Sequence, residues 1–237
     1  MKKAIIIGAS SGIGKELAEI LSENNYILGL VSRREKLLVE IQKKLPKKSF
    51  VKSFDITSAN SRDYLEELIQ EMNGVDLIII SAGRIFINHQ LEFEKEKKTI
   101  ELNVLAFTKM INTAYKYFSQ KGEGQIVGIS SVAALRGGYD APAYHASKAF
   151  VSNYMEGLRI KAKKSKLPIT ITDIKPGYVN TRILVKENLF WVAEPEKAAL
   201  QIYQAIDKKK DHAYITKRWT LIAWLLKIVP DFIYKRF

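Results

Sequence analysis

Apolar and polar residues alternate along the chain between two periods. Ala4–Ile7 is a short apolar, β-rich run that stops at a glycine turn. From Gly12 to about Ser22, Leu17, Ile20 and Leu21 fall on one helical face. Tyr26–Val31 predicts a second strand and Arg34 to about Lys44 a second helix. Phe50–Phe54 reads as a third strand ended by Asp55, and Ser61–Met72 as a helix. Val75–Ile80 is the fully apolar run expected of a strand buried on both faces of a parallel sheet. Phe93 to about Phe118 suits one long helix, Gln125–Ile129 a strand, Tyr144–Lys163 a helix and Ile169–Ile174 another strand. Pro195–Asp207 is a helix with proline in its first turn.

Alternating strand and helix of this kind predicts an α/β fold: one Rossmann-type, doubly wound parallel sheet with helices on both faces. In such a sheet ligands bind beyond the carboxyl ends of the strands. No repeat, low-complexity stretch or flexible linker interrupts the pattern. The expected division is a catalytic domain over 1–207 and a basic, apolar extension over 208–237.

Composition narrows the chemistry. The 237 residues contain no cysteine, which excludes disulfides, thiolate metal sites and a cysteine nucleophile. His89 and His212 are isolated, so no metal site is expected. The net charge is +13, from 38 basic and 25 acidic residues. That charge implies either an anionic ligand or surface, or a well-solvated lysine-rich exterior. No arginine-rich or aromatic-interleaved pattern points to nucleic acid. The opening MKKAIIIGAS is too briefly apolar for a signal peptide, and no run reaches the roughly 18 apolar residues that span a bilayer. The expected location is the cytoplasm, with the inner face of a membrane as its extension.

Gly8-Ala9-Ser10-Ser11-Gly12-Ile13-Gly14 lies between the first strand and the first helix. Glycines let a backbone turn tightly and approach a pyrophosphate, and the helix N-terminus presents N–H groups and positive charge. The second strand ends in Ser32-Arg33-Arg34, where an NAD site usually carries an acid. Arginine pairs there with a 2′-phosphate, so NADP(H) is preferred, with Arg33 the first choice and Arg34 the second. NAD(H) stays open.

Tyr144 and Lys148, four apart on a helix, share a face. Bringing a tyrosine from about 10 to about 7 takes roughly 4 kcal/mol of phenolate stabilisation, which one cation near 4 Å supplies. Upstream, Ser130 and Ser131 stand at the carboxyl end of a strand, where a hydroxyl can hold a substrate oxygen. Each of these features alone is commonplace.

Together they resemble the classical short-chain dehydrogenase/reductase family, over about residues 3 to 207. The residues that carry the likeness are the Gly8–Gly14 turn, Asp55, Ser81-Ala82-Gly83, Asn103, Ser130-Ser131, Tyr144, Lys148 and Pro176-Gly177. The resemblance implies that Ser131 orients the substrate, with Ser130 the weaker choice, and that Tyr144 is the acid/base. It implies that Lys148 binds the nicotinamide ribose and lowers the tyrosine pKa, and that Asn103 supports a water in the proton relay. Asp55 would contact the adenine beside Ile56, and Ala82 and Gly83 would pass under the adenosine ribose. Pro176, Gly177, Val179 and Thr181 would hold the nicotinamide amide. A homo-oligomer, dimer or tetramer, is implied too. Ile7 departs from the family's usual threonine, and Ile80-Ser81 from its Asn-Asn pair. His145 falls in a variable slot, while Asp140 and Arg136 are candidates for shaping the pocket.

The expected reaction is reversible hydride transfer between NADP(H) and a carbonyl or secondary alcohol. The alternative is a dinucleotide sensor or membrane-docked binding protein with little catalysis. A loop over Tyr178–Ala193 is expected to cover the substrate, and its Ile183, Leu184, Leu189, Phe190 and Trp191 suggest a lipophilic one. Trp219 and Trp224, flanked by Lys217, Arg218, Lys227, Lys235 and Arg236, suit an interfacial helix at a membrane. A lid over the substrate pocket and a subunit contact are the competing readings of that tail.

Overall fold

The computed structural model describes residues 1–181 and 189–235. Ile183, Leu184 and Arg236 therefore lie outside the described residues. The strands are β1 (Lys3–Ile7), β2 (Ile27–Ser32), β3 (Ser49–Ser53), β4 (Leu77–Ile80), β5 (Gly124–Ile129), β6 (Ile169–Pro176) and β7 (His212–Ile215). They form one parallel sheet in the order β3-β2-β1-β4-β5-β6-β7. The order reverses between β1 and β4, so a cleft opens there at the carboxyl edge.

Strand alternation explains why these runs are apolar throughout. Ile5 and Ile7 of β1 and Ile78 and Ile80 of β4 point into one buried cluster. Ala4 and Ile6, with Leu77 and Ile79, point into the other. The first cluster packs under α3 (Ser61–Glu71), α5 (Phe107–Lys121) and α6 (Pro142–Lys164). The second packs under α1 (Gly12–Glu23), α2 (Glu35–Lys44) and α7 (Pro195–Asp207). A strand covered on both faces is mostly apolar because burying a polar side chain without a partner is costly.

Two expectations about elements need correction. The long helix over 93–118 is α4 (Phe93–Ile100) and α5 joined by a π-helical segment, Glu101–Ala106, which contains Asn103. Beyond residue 207 the chain adds β7 to the sheet, parallel to β6, so the sheet extends past the expected domain boundary. Then come α8 (Trp219–Ile228) and α9 (Asp231–Tyr234). Among the described residues no helix is long and apolar enough to cross a membrane.

Candidate active site

A cleft of about 750 Å³ runs along the carboxyl edge of the sheet. Every expected site residue lines it except Gly14 and Asn103. The β1–α1 turn forms one end. Gly8 has φ +96°, and a Cβ there would lie 2.7 Å from the Ala82 amide nitrogen. A Cβ on Gly14 would lie 2.3 Å from the Gly8 carbonyl oxygen. These close approaches bring the amides of the first turn of α1 to the cleft, and a helix N-terminus lacks intrahelical acceptors for its first N–H groups. The cradle thus fits a phosphate. The departures at Ile7 and Ser81 are absorbed by backbone: the Ile7 carbonyl accepts from the Ser81 and Ala82 amides at 2.8 and 3.0 Å.

The two arginines after β2 are not equivalent. The Arg34 guanidinium lies across the turn and donates to the hydroxyls of Ser10 and Ser11, each at 2.7 Å. Arg33 is more exposed and pairs with Asp55 at 3.4 Å. Burial pushes the Asp55 carboxyl up, but the Thr57 amide and hydroxyl together with Arg33 hold it below its ordinary value.

The far end carries Ser131, Tyr144 and Lys148. Ser131 follows β5, where its hydroxyl accepts from the Ala133 amide at 3.1 Å and donates to the Pro176 carbonyl at 3.3 Å. Pro142 opens α6, and the Glu96 carboxylate accepts from the Ala143 amide at 3.1 Å, capping the helix one residue before Tyr144. Burial pushes Tyr144 above its ordinary value, and the neighbouring Ser131 side chain only partly opposes the rise.

The expected lowering of the Tyr144 pKa by Lys148 is therefore corrected. The Lys148 ammonium is 5.7 Å from the centre of the Tyr144 ring and donates to the Ile129 carbonyl at 2.9 Å. Its own burial brings its pKa down to about 8, with Asp173 opposing. The side chain that opposes the burial of the phenol is Ser131, not Lys148, whose ammonium donates to the Ile129 carbonyl.

Asn103 is buried, and its side-chain oxygen accepts from the Arg84 amide at 2.9 Å. Its amide nitrogen donates to the Arg84 carbonyl at 2.8 Å and to the Ser147 hydroxyl at 3.0 Å. Ser147 in turn donates to the Tyr144 carbonyl at 2.7 Å. Ser130 turns away from the cleft's centre to donate to the fully buried Asp173 at 2.5 Å. Asp173 also accepts from Ser152 at 2.8 Å and from Lys175. Sequence reasoning did not single out Glu96 or Asp173. Each acts across 40 or more positions, on the Ala143 amide and on Ser130, and no local motif marks them.

The substrate side is apolar and aromatic. Tyr178, Leu189 and Phe190 line it, joined by Trp219, Ile222 and Leu226 of α8 and by Tyr234 of α9. Phe190 stacks on Trp219 with ring centres 5.5 Å apart. Arg136 reaches from the segment after β5 to Asp231 at 2.6 Å and lies over the Tyr234 ring at 4.5 Å. Tyr234 donates to the Gly137 carbonyl at 2.5 Å. Arg136 and Asp140 both line the cleft.

The family model for short chain dehydrogenases matches residues 2–190 of this chain. The chain belongs to the short-chain dehydrogenase family. As a member it is an oxidoreductase acting on CH–OH groups. An uncharacterized oxidoreductase of Mycobacterium tuberculosis is 30% identical over 249 residues, covering 100% of this chain and 97% of the relative. A short-chain dehydrogenase/reductase from Mycobacterium marinum has a TM-score of 0.83 at 20% identity, covering 92% of this chain and 95% of that one. A short-chain dehydrogenase from Sphingobium yanoikuyae, solved in complex with NADPH, has a TM-score of 0.81 at 23% identity, covering 98% and 97%. Both solved structures share the seven-stranded architecture's fold.

Proposed function

We propose that this dehydrogenase prefers NADP(H) and interconverts a carbonyl and a secondary alcohol on a lipophilic substrate. One observation carries the reading. A single cleft joins a phosphate cradle crossed by Arg34 to the Ser131, Tyr144 and Lys148 cluster, with an apolar wall beyond. Arg34 presents a planar, permanently charged fork beside Ser10 and Ser11, suited to a 2′-phosphate. Arg33 adds charge at the rim, partly neutralised by Asp55.

The bound nicotinamide supplies or accepts the hydride. In the reducing direction the Ser131 hydroxyl and the Tyr144 phenol both donate to the substrate oxygen, and Tyr144 releases its proton to the forming alkoxide. Burial keeps the phenol protonated, the form that carries the proton to be donated. Lys148 holds the cofactor ribose and returns a proton to Tyr144, and Asn103 orders that route through Ser147 and the Gly83–Arg84 backbone. Asp55 and Ile56 receive the adenine, Ala82 and Gly83 the adenosine ribose, and Pro176, Gly177, Val179 and Thr181 the nicotinamide amide. Residues 1–207 carry the chemistry, and 208–235 complete the substrate wall. The outward Phe150 and Ile160 on α6 support assembly into a homo-oligomer. The reading places the enzyme in the cytoplasm, with residues 217–237 in contact with a membrane surface.

The test is a consumption assay of NADPH, with NADH as the control, over ketones graded in size and polarity. The reading expects NADPH preference and faster turnover of larger apolar ketones. Arg34→Ala should cut the preference by about tenfold or more, the scale of one charge-assisted contact. A preference for NADH in the native protein would refute the cofactor assignment. Tight NADPH binding with no carbonyl turned over would favour a sensor.

A further inference from the structure

The helix α8 is apolar on two opposite faces. One face, Trp219, Ile222 and Leu226, walls the cleft. The other leaves Leu221 64% exposed, Trp224 60% and Leu225 47%, and α9 continues it with Phe232 at 68%. A monomer in water rarely presents large apolar side chains in such a contiguous strip. Lys217, Arg218, Lys227 and Lys235, all exposed, flank the strip along the chain, with the Arg218 guanidinium over the Trp191 ring at 5.2 Å. The acid among residues 217–235 is Asp231, and Arg136 already holds it at 2.6 Å.

We propose that the outer face of α8 and α9 docks on an anionic lipid bilayer. The apolar strip enters the headgroup boundary, and the four cations meet lipid phosphates. This rests on the reading of the cleft as a site for a lipophilic carbonyl or alcohol. It adds the route by which such a compound arrives, since the same helix faces the lipid on one side and the substrate on the other. The face is fixed to the site at three points. Arg136 pairs with Asp231, Tyr234 donates to the Gly137 carbonyl, and Trp219 packs against Gly177.

The charge pattern selects this occupant over a second copy of the chain. A two-fold contact through the strip would set Lys217, Arg218, Lys227 and Lys235 of one copy against those of the other. No acid on the strip remains to compensate, and like charges brought together this way oppose association. A tryptophan at the level of basic residues, beside leucines, is the composition of a membrane-surface helix. At 10 residues α8 is about 15 Å long, half of what a span requires.

The experiment is flotation of the full chain with vesicles of phosphatidylcholine, with and without phosphatidylglycerol. The proposal expects flotation with the anionic vesicles and little with phosphatidylcholine alone. The double variant Trp224→Glu/Leu225→Glu, both side chains outside the cleft wall, should weaken it at least tenfold. Lys217→Glu/Lys227→Glu should do the same without removing apolar surface. Both variants should keep native NADPH consumption with a small water-soluble ketone and lose turnover of a ketone dissolved in anionic vesicles. Absence of flotation with anionic vesicles, or undiminished flotation of both variants, would overturn the proposal. A native oligomer that falls apart on Trp224→Glu/Leu225→Glu would also overturn it, assigning the face to a second copy. Flotation does not depend on turnover. If the chain floats but reduces no ketone, the substrate reading fails and the docking stands.

Discussion

Gly177 lies beneath the Trp219 indole, and this contact ties the tail to the active-site cleft. A Cβ built on Gly177 falls 2.0 Å from Trp219 Cε2 and 2.2 Å from Nε1. Carbon atoms in ordinary contact are about 3.5–4.0 Å apart, so Gly177→Ala must move the ring or the strand end by about 1.5 Å. Overpacking of this kind costs about 1–3 kcal/mol. Trp219→Ala empties a buried site and costs about 3–5 kcal/mol. If the indole is the whole obstacle, Gly177→Ala becomes nearly silent once the ring is gone. The double variant then loses about what Trp219→Ala loses alone, and the coupling is about 1–3 kcal/mol. Turnover should follow, because a displacement of about 1 Å near reacting atoms can cost about a hundredfold in rate. Urea denaturation of the four proteins gives the cycle, and NADPH consumption gives the rates. Additive losses would refute the contact as the reason for glycine at 177.

Two further outcomes follow from buried charge. Lys148 has a native pKa of about 8 against an ordinary value of 10.5. Between those values the unfolded chain binds more protons, so this residue makes stability rise with pH, by at most about 1.4 kcal/mol per unit. The stability of the native protein minus that of Lys148→Met should climb from about pH 8 to about 10.5. A flat or falling difference would contradict the buried ammonium. Asp173→Ala leaves the Lys175 ammonium buried without its counter-charge and removes the acceptor of Ser130 and Ser152. Breaking a buried pair from one side costs about 3–5 kcal/mol, and Asp173→Ala/Lys175→Met should recover part of it. Native-like denaturation of Asp173→Ala would show the network to be unimportant.

Much of the fold is legible in the sequence because a doubly covered sheet writes itself as near-continuous apolar strands. Val75–Ile80 and Ala4–Ile7 are recognisable for that reason, and each strand stands next to its glycine or acid punctuation. The strand β7 escapes notice since it begins with the exposed His212, just after three lysines and Asp211, and has one neighbour. The Gly8–Gly14 turn and the Ser131, Tyr144 and Lys148 set are local spacings, and the fold brings them to one cleft. What depends on distant partners is not legible. The different settings of the two arginines turn on distant partners, Asp55 for Arg33 and Ser10 and Ser11 for Arg34. The pKa of Tyr144 turns on burial by the surrounding elements, and helical spacing to Lys148 carries no information about that. The tail is a case of partial legibility. Its composition shows an amphipathic helix, and only the packing of Trp219, Ile222 and Leu226 shows that one face belongs to the cleft.

The measurement that bears most directly on the central claim is the rate of NADPH oxidation by Tyr144→Phe with an apolar ketone, beside calorimetry of NADPH binding. The Phe variant keeps the ring and the helix and removes only the phenolic hydroxyl. Proton transfer by a positioned side chain contributes about 10²–10⁴-fold, so turnover should fall by that factor while NADPH affinity stays within a few-fold of native. A Tyr144→Phe protein that reduces the ketone at the native rate would contradict the assignment of Tyr144 as proton donor.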